Sequence, residues 1–280
     1  MIPDNFLGIP SPHCDYENAS VVIVPVPFEQ TSSWLQGSVN GPEAIIKASQ
    51  NIELYDIEQN REPYLCGIYT GSSIIADDAP GMIEQVYSTV SHIIDDGKMA
   101  ITLGGEHTVS VGAAKAYSEK FPGIGILHFD AHSDMREEYD DTPYSHASAL
   151  ARIKDFNPNI VSVGVRSMDI SELPNIKREN YFFGHEIHQN DLWMEQCLEK
   201  LPQQVYITLD LDVLDPSIMP STGTPEPGGM GWYQILKLLS MVSKNRQIKG
   251  FDIVELCPAE NKAPDFLAAK LIYKMIGMIK

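Results

Sequence analysis

Apolar and polar positions along the chain follow two periods. Short unbroken apolar runs, rich in branched side chains, occupy residues 21–24, 99–103, 124–130, 160–165, 205–211 and 249–254. Such runs predict strands buried on both faces. A shorter run at 181–184 and an edge segment near 67–69 predict two more. Between them apolar residues recur every three or four positions, as in Met82, Val86, Val90, Ile93 and Ile94, with Gly97 closing that stretch. This spacing predicts helices over residues 41–49, 80–96, 111–120, 145–155, 192–201, 232–243 and 265–279. Pro42, next to Gly41, suits the first turn of the first of them.

Strand and helix alternate, so the sheet is expected to be mostly parallel with helices on both faces, an α/β fold. No linker, repeat or low-complexity tract interrupts the 280 residues, and one domain over 1–280 is expected. In sheets of this kind ligands collect outside the carboxyl ends of the strands.

Composition narrows the possible partners. Apolar residues make up 43% of the chain and charged residues 21%, which excludes a disordered chain. The 38 acidic side chains outnumber the 20 Lys and Arg, giving a formal charge of −18. That balance argues against nucleic acid and against an anionic membrane surface, and it suits a cationic small molecule. Cys14, Cys66, Cys197 and Cys257 are scattered, which reads as free thiols in a reducing, cytoplasmic setting. The amino terminus has no secretion-signal pattern, and no apolar stretch reaches membrane-spanning length.

Chemistry-bearing residues fall where the predicted strands end. Residues 129–136 read Phe-Asp-Ala-His-Ser-Asp-Met-Arg. In extended chain, residues two apart share a side, so Asp130, His132 and Asp134 are expected on one wall. Asp210 and Asp212 repeat the logic in Ile207-Thr208-Leu209-Asp210-Leu211-Asp212. His107 follows Leu103-Gly104-Gly105-Glu106, between a strand and a helix. Oxygen and imidazole donors mixed in this way suit Mn²⁺, Zn²⁺ or Co²⁺. Six ligands exceed one four-coordinate site and fit two ions about 3.5–4 Å apart.

Two residues beyond the six complete a mechanism. His146 could move protons, and Glu255, at the end of Asp252-Ile253-Val254-Glu255, could hold a cationic head group. Each residue also has a plainer reading. The first stretch could cap a turn, and His107 could cap a helix or lie in the core. Asp212 could form a turn while Asp210 sits in an ion pair. His146 could pack at a helix start, and Glu255 could pair with a lysine or arginine.

Gly104-Gly105-Glu106-His107, Phe129-Asp130-Ala131-His132-Ser133-Asp134, Leu209-Asp210-Leu211-Asp212-Val213-Leu214-Asp215-Pro216 and Asp252-Ile253-Val254-Glu255 resemble the signatures of the ureohydrolases, the arginase and agmatinase family. The likeness runs from Val21 to the final helix. Gly41-Pro42 and the loop from Thr222 to Gly229 look most like agmatinases. The resemblance implies a three-layer α/β/α fold and a pair of Mn²⁺ ions. It implies that Asp130 and Asp210 bridge the ions, with His107 and Asp134 completing one and His132 and Asp212 the other. Hydroxide held between the ions would attack a guanidinium carbon, giving urea and an amine. Asp134 would pass the proton, His146 would shuttle protons and Glu255 would orient the guanidinium.

Ala147 departs from the glycine common after this histidine in arginases. The expected reaction is agmatine to putrescine and urea, by a homo-oligomer, a trimer or hexamer. Arginine, guanidinobutyrate, formiminoglutamate and guanidine are the rival substrates. A one-metal deacetylase on the same fold and a non-catalytic binding protein are the rivals from other classes. Four acids at 137, 138, 140 and 141 are expected to overhang the pocket and disfavour a substrate carboxylate.

Overall fold

The computed structural model describes residues 3–279. Eight strands form one sheet: β1 (Val21–Val26), β2 (Ile68–Thr70), β3 (Met99–Gly104), β4 (Gly125–Phe129), β5 (Ile160–Val163), β6 (Tyr181–Phe182), β7 (Gln204–Asp210) and β8 (Gln247–Val254). Their order across the sheet is β2-β1-β3-β8-β7-β4-β5-β6, and every strand pair is parallel. All carboxyl ends therefore open on one rim. β3, β8, β7 and β4 are consecutive at the centre of that rim.

The helices are α1 (Gly41–Ser49), α2 (Ala79–Asp95), α3 (Ser110–Lys120), α4 (Ala149–Lys154), α5 (Gly184–Ile187), α6 (Leu192–Lys200), α7 (Trp232–Asn245) and α8 (Ala263–Met278). The central strands bury both faces over most of their length, so two cores flank the sheet. One collects α1, α6, α7 and α8 through residues such as Ile45, Trp193, Ile235 and Leu271. The other collects α2, α3 and α4 through Met82, Val86, Val111, Ala113 and Leu150. The result is the expected three-layer arrangement.

Several boundaries differ from the sequence pattern, each for a physical reason. β1 runs through Pro25. β2 pairs only with Val21, Val22 and Ile23, so Pro25 lies where that side of β1 is an edge and needs no N–H. The predicted helix over 145–155 is broken: a 3₁₀ turn at His146–Ser148 precedes α4. β4 stops at Phe129 and β7 at Asp210, earlier than the apolar runs suggest. Asp130, His132, Asp134 and Asp212 consequently lie on turns beyond the strands.

Candidate metal centre

The six expected ligands do meet at the central rim, but turn geometry brings them there rather than strand alternation. Asp134 has φ 50° and Glu255 φ 66°, left-handed conformations that non-glycine residues seldom adopt. Asp212 sits in the 3₁₀ turn Leu211–Val213 and donates its N–H to Asp210 Oδ1 at 2.8 Å. Ala131 N–H donates to Asp212 Oδ1 at 2.8 Å. Each of these aspartates thus has one oxygen pinned by backbone and the other turned inward.

The inward atoms crowd one another. His107 Nδ1 lies 3.0 Å from Asp130 Oδ2, 3.0 Å from Asp134 Oδ2 and 3.5 Å from Asp210 Oδ2. His132 Nδ1 lies 2.9 Å from Asp212 Oδ2 and 3.5 Å from Asp130 Oδ1. Asp130 therefore faces both histidines, one with each oxygen. Asp210 approaches the His107 side alone, and its other oxygen is held by Asp212. Asp130, Asp134, Asp210 and Asp212 are all buried.

Such a cluster fits divalent cations. Two carboxylates 4 Å apart repel by about 4 kcal/mol at an effective dielectric near 20, so several cannot stay charged together without a cation. The carboxyl groups respond accordingly. Burial, then Asp212 and Asp130, push Asp210 well above its ordinary range. Burial, then Asp130, push Asp134 up to about 6.

His107 gives the sharper indication. Among the described residues its buried Nδ1 finds no hydrogen-bond partner despite three carboxylates around it. Its Nε2 lies 2.9 Å from Thr208 Oγ1, and that hydroxyl donates to Asp252 Oδ1 at 2.8 Å. Thr208 therefore accepts from Nε2–H, which leaves the Nδ1 lone pair aimed into the cluster. Histidine ligands are commonly oriented by such a partner behind the ring.

Glu255 directly follows β8 and lies beside this cluster. Its Oε1 accepts His107 N–H at 2.8 Å and lies 3.8 Å from His146 Nδ1. Among the described residues no lysine or arginine pairs with it, unlike the plainer reading from sequence. Burial, then Glu106, push its carboxyl well above the ordinary range, so a cation is needed to keep it charged. Burial, then His132 and His107, lower the His146 ring to about 4, so it is neutral near pH 7. Its Nε2 is buried and unpartnered among the described residues.

A cavity of about 250 Å³ opens over these groups. Its outer wall includes Arg136, Tyr139, Asp169 and Glu172. The four loop acids expected there are elsewhere. Asp140 and Asp141, at φ 50° and 61°, form the two-residue tip of a hairpin closed by Tyr139 and Thr142. Glu137 points to Arg152 at 3.3 Å, and all four acids are exposed outside the cavity lining. The wall's acids are Asp169 and Glu172, facing Arg136 at 3.7 and 3.9 Å.

Sequence reasoning also missed His128, which is fully buried in β4. Its Nε2 lies 2.9 Å from Asp130 Oδ2, and its Nδ1 3.0 Å from Ser162 Oγ. Its place two residues before Asp130, on the same side of the chain, was the available signal.

Fold and site together define an α/β protein with a histidine–carboxylate centre for divalent ions at the carboxyl rim of a parallel sheet. A sequence model of the Arginase family matches residues 19–277, and the chain belongs to that family. It is 36% identical over 270 residues to an N(1)-aminopropylagmatine ureohydrolase of Thermus thermophilus, covering 94% of this chain and 91% of that one. An agmatinase of Bacillus anthracis is 32% identical over 280 residues, with 96% and 95% covered. The solved agmatine ureohydrolase of Thermoplasma volcanium superposes with TM-score 0.88 at 31% identity, covering 99% of this chain and 94% of that one.

Proposed function

We propose that the protein hydrolyses the guanidino group of agmatine to give urea and putrescine. The observation that carries this reading is Glu255, a buried carboxylate beside the cluster with no lysine or arginine partner among the described residues, where a guanidinium would supply the missing charge. His107, Asp130, His132, Asp134, Asp210 and Asp212 would hold two ions, for which Mn²⁺ suits the oxygen-rich donor set. When bound, the ions supply a water activated for attack near neutral pH.

The chain's own groups do the rest. Glu255 receives the guanidinium N–H groups through the oxygen that His107 N–H leaves free, and so sets the plane of the reacting carbon. His146, neutral and with its Nε2 unpartnered among the described residues, carries protons between the leaving amine and solvent. Asp134, at the foot of the cavity, passes a proton to the leaving nitrogen. The outer wall favours a substrate without a carboxylate. Its one base, Arg136, faces two acids, and Asp169 is partly open to the cavity.

N(1)-aminopropylagmatine is a second reading, supported by the relative named for it at 36% identity and by the same acidic wall. The family resemblance supports a homo-oligomer, trimer or hexamer, and the four free cysteines support a cytoplasmic setting.

Urea release across a panel of agmatine, aminopropylagmatine, arginine, guanidinobutyrate, formiminoglutamate and guanidine tests the assignment. Agmatine should exceed arginine clearly in kcat/KM. Glu255→Gln should keep its metal and lose most turnover. Equal or better use of arginine would overturn the substrate, and a fully active Glu255→Gln would overturn the role of Glu255.

A further inference from the structure

The loop that leaves β1 reaches the site, where Ser33 lines the cavity. A buried carboxylate anchors it. Glu106 is fully buried. Its Oε2 accepts the N–H groups of Gln30 and Thr31, both at 2.7 Å. Its Oε1 accepts the hydroxyls of Thr31 at 2.9 Å and Thr108 at 2.8 Å. Four donors saturate the group, so it is neither ligand nor acid–base but an anchor. The approach is close: a side chain on neighbouring Gly105 would come within 2.1 Å of Phe28 O.

The bond from Thr31 fixes a direction. Its hydroxyl hydrogen is committed to Glu106, so its oxygen can only accept on the other side. There His146 N–H donates to Thr31 Oγ1 at 2.9 Å, across 115 positions of sequence. That N–H opens the 3₁₀ turn His146–Ser148 and lies two bonds from the Cβ that carries the ring. The turn has one other side-chain anchor, Ser145 Oγ, which accepts Ala147 N–H at a long 3.4 Å. Among the described residues the ring itself has no close hydrogen bond to hold it. Its Nδ1 is 3.8 Å from Glu255 Oε1, and Tyr139 meets it edge-on at 6.5 Å.

We infer that Thr31, seated by the buried Glu106 carboxylate, is a positioning residue that holds the backbone of His146 and thereby aims its imidazole into the site. The inference rests on the proposed hydrolase reaction, in which His146 moves a proton. General acid–base groups contribute roughly 10²–10⁴-fold and must lie within hydrogen-bond reach of their proton. Loosening the turn therefore acts on turnover rather than on substrate or metal binding.

The test compares Thr31→Val, which keeps volume and removes the acceptor, with Thr31→Ser, which restores it, each also in a His146→Ala background. In metal-loaded protein, backbone hydrogen exchange in the peptide spanning 145–148 should quicken in Thr31→Val and return to normal in Thr31→Ser. With unchanged ion content and KM, kcat should fall about tenfold in Thr31→Val, a partial loss of the acid–base contribution. Added imidazole should recover part of it, as in His146→Ala, and Thr31→Val should change nothing further in the His146→Ala background. If Thr31→Val does not fold, Thr31→Ala against Thr31→Ser makes the same comparison.

The inference is overturned by unchanged exchange and kcat in Thr31→Val, by failure of serine to rescue, or by equal losses with and without His146. A wild-type protein that releases no urea, or a fully active His146→Ala, overturns the hydrolase reading instead. The exchange comparison still reports on the hydrogen bond in that case.

Discussion

Asp130 faces both imidazoles of the cluster, and its geometry depends on a residue outside the ligand set. His128 spans from Ser162 to Asp130 within the sheet, so it fixes which way the carboxylate turns. Removing such a partner typically lowers metal affinity by about 10–100-fold. His128→Leu should therefore fold normally and bind Mn²⁺ more weakly by that factor, with His128→Gln intermediate. Calorimetric titration of the metal-stripped protein measures this, and wild-type affinity in the leucine variant would show that His128 does not support the metal site. At this scale the eight candidate residues were legible because ionisable side chains at the ends of apolar runs are conspicuous. Their supports were not. His128, Thr208 and Thr31 look like ordinary strand or loop residues until the fold places them behind a ligand or under His146.

The strands were legible as elements because a parallel sheet buried on both faces needs unbroken apolar runs. The turns that follow them were not. Alternation in extended chain put Asp130, His132 and Asp134 on one wall, yet β4 ends before Asp130 and the positive φ of Asp134 re-aims the third residue. In the same way the acids at 137–141 were placed over the pocket by proximity in sequence, and a hairpin carries them away.

The loop after β7 offers a test with a pH signature. Asp215 accepts N–H groups from Ser217, Gly228 and Gly229 at 3.0, 3.0 and 3.1 Å. Hydrogen bonds from Ser217, then those from the two glycines, lower its carboxyl from 3.8 to about 2. A folded value below the unfolded one stabilises fully above the unfolded value and is lost as pH falls through the folded one. Asp215→Asn should melt earlier than wild type near pH 5, and the gap should narrow between pH 4 and pH 2. A gap independent of pH would show that the charged carboxylate is not what ties down this loop.

At the scale of the whole molecule, one rim gathers the chemistry. β3, β8, β7 and β4 lie side by side, so residues far apart in sequence, from His107 to Glu255, meet above four neighbouring strand ends. The chain's formal charge of −18 is compatible with a cationic substrate, although exposed charge alone selects little. The cluster is proposed to hold two ions, both needed for turnover. Metal-stripped protein should be titrated with Mn²⁺ while bound metal and urea release from agmatine are followed together. About two ions per chain are expected at saturation, with turnover rising in step with the second, and loss of both ions and activity in Asp130→Ala. Full turnover at one ion per chain, or in Asp130→Ala, would contradict it.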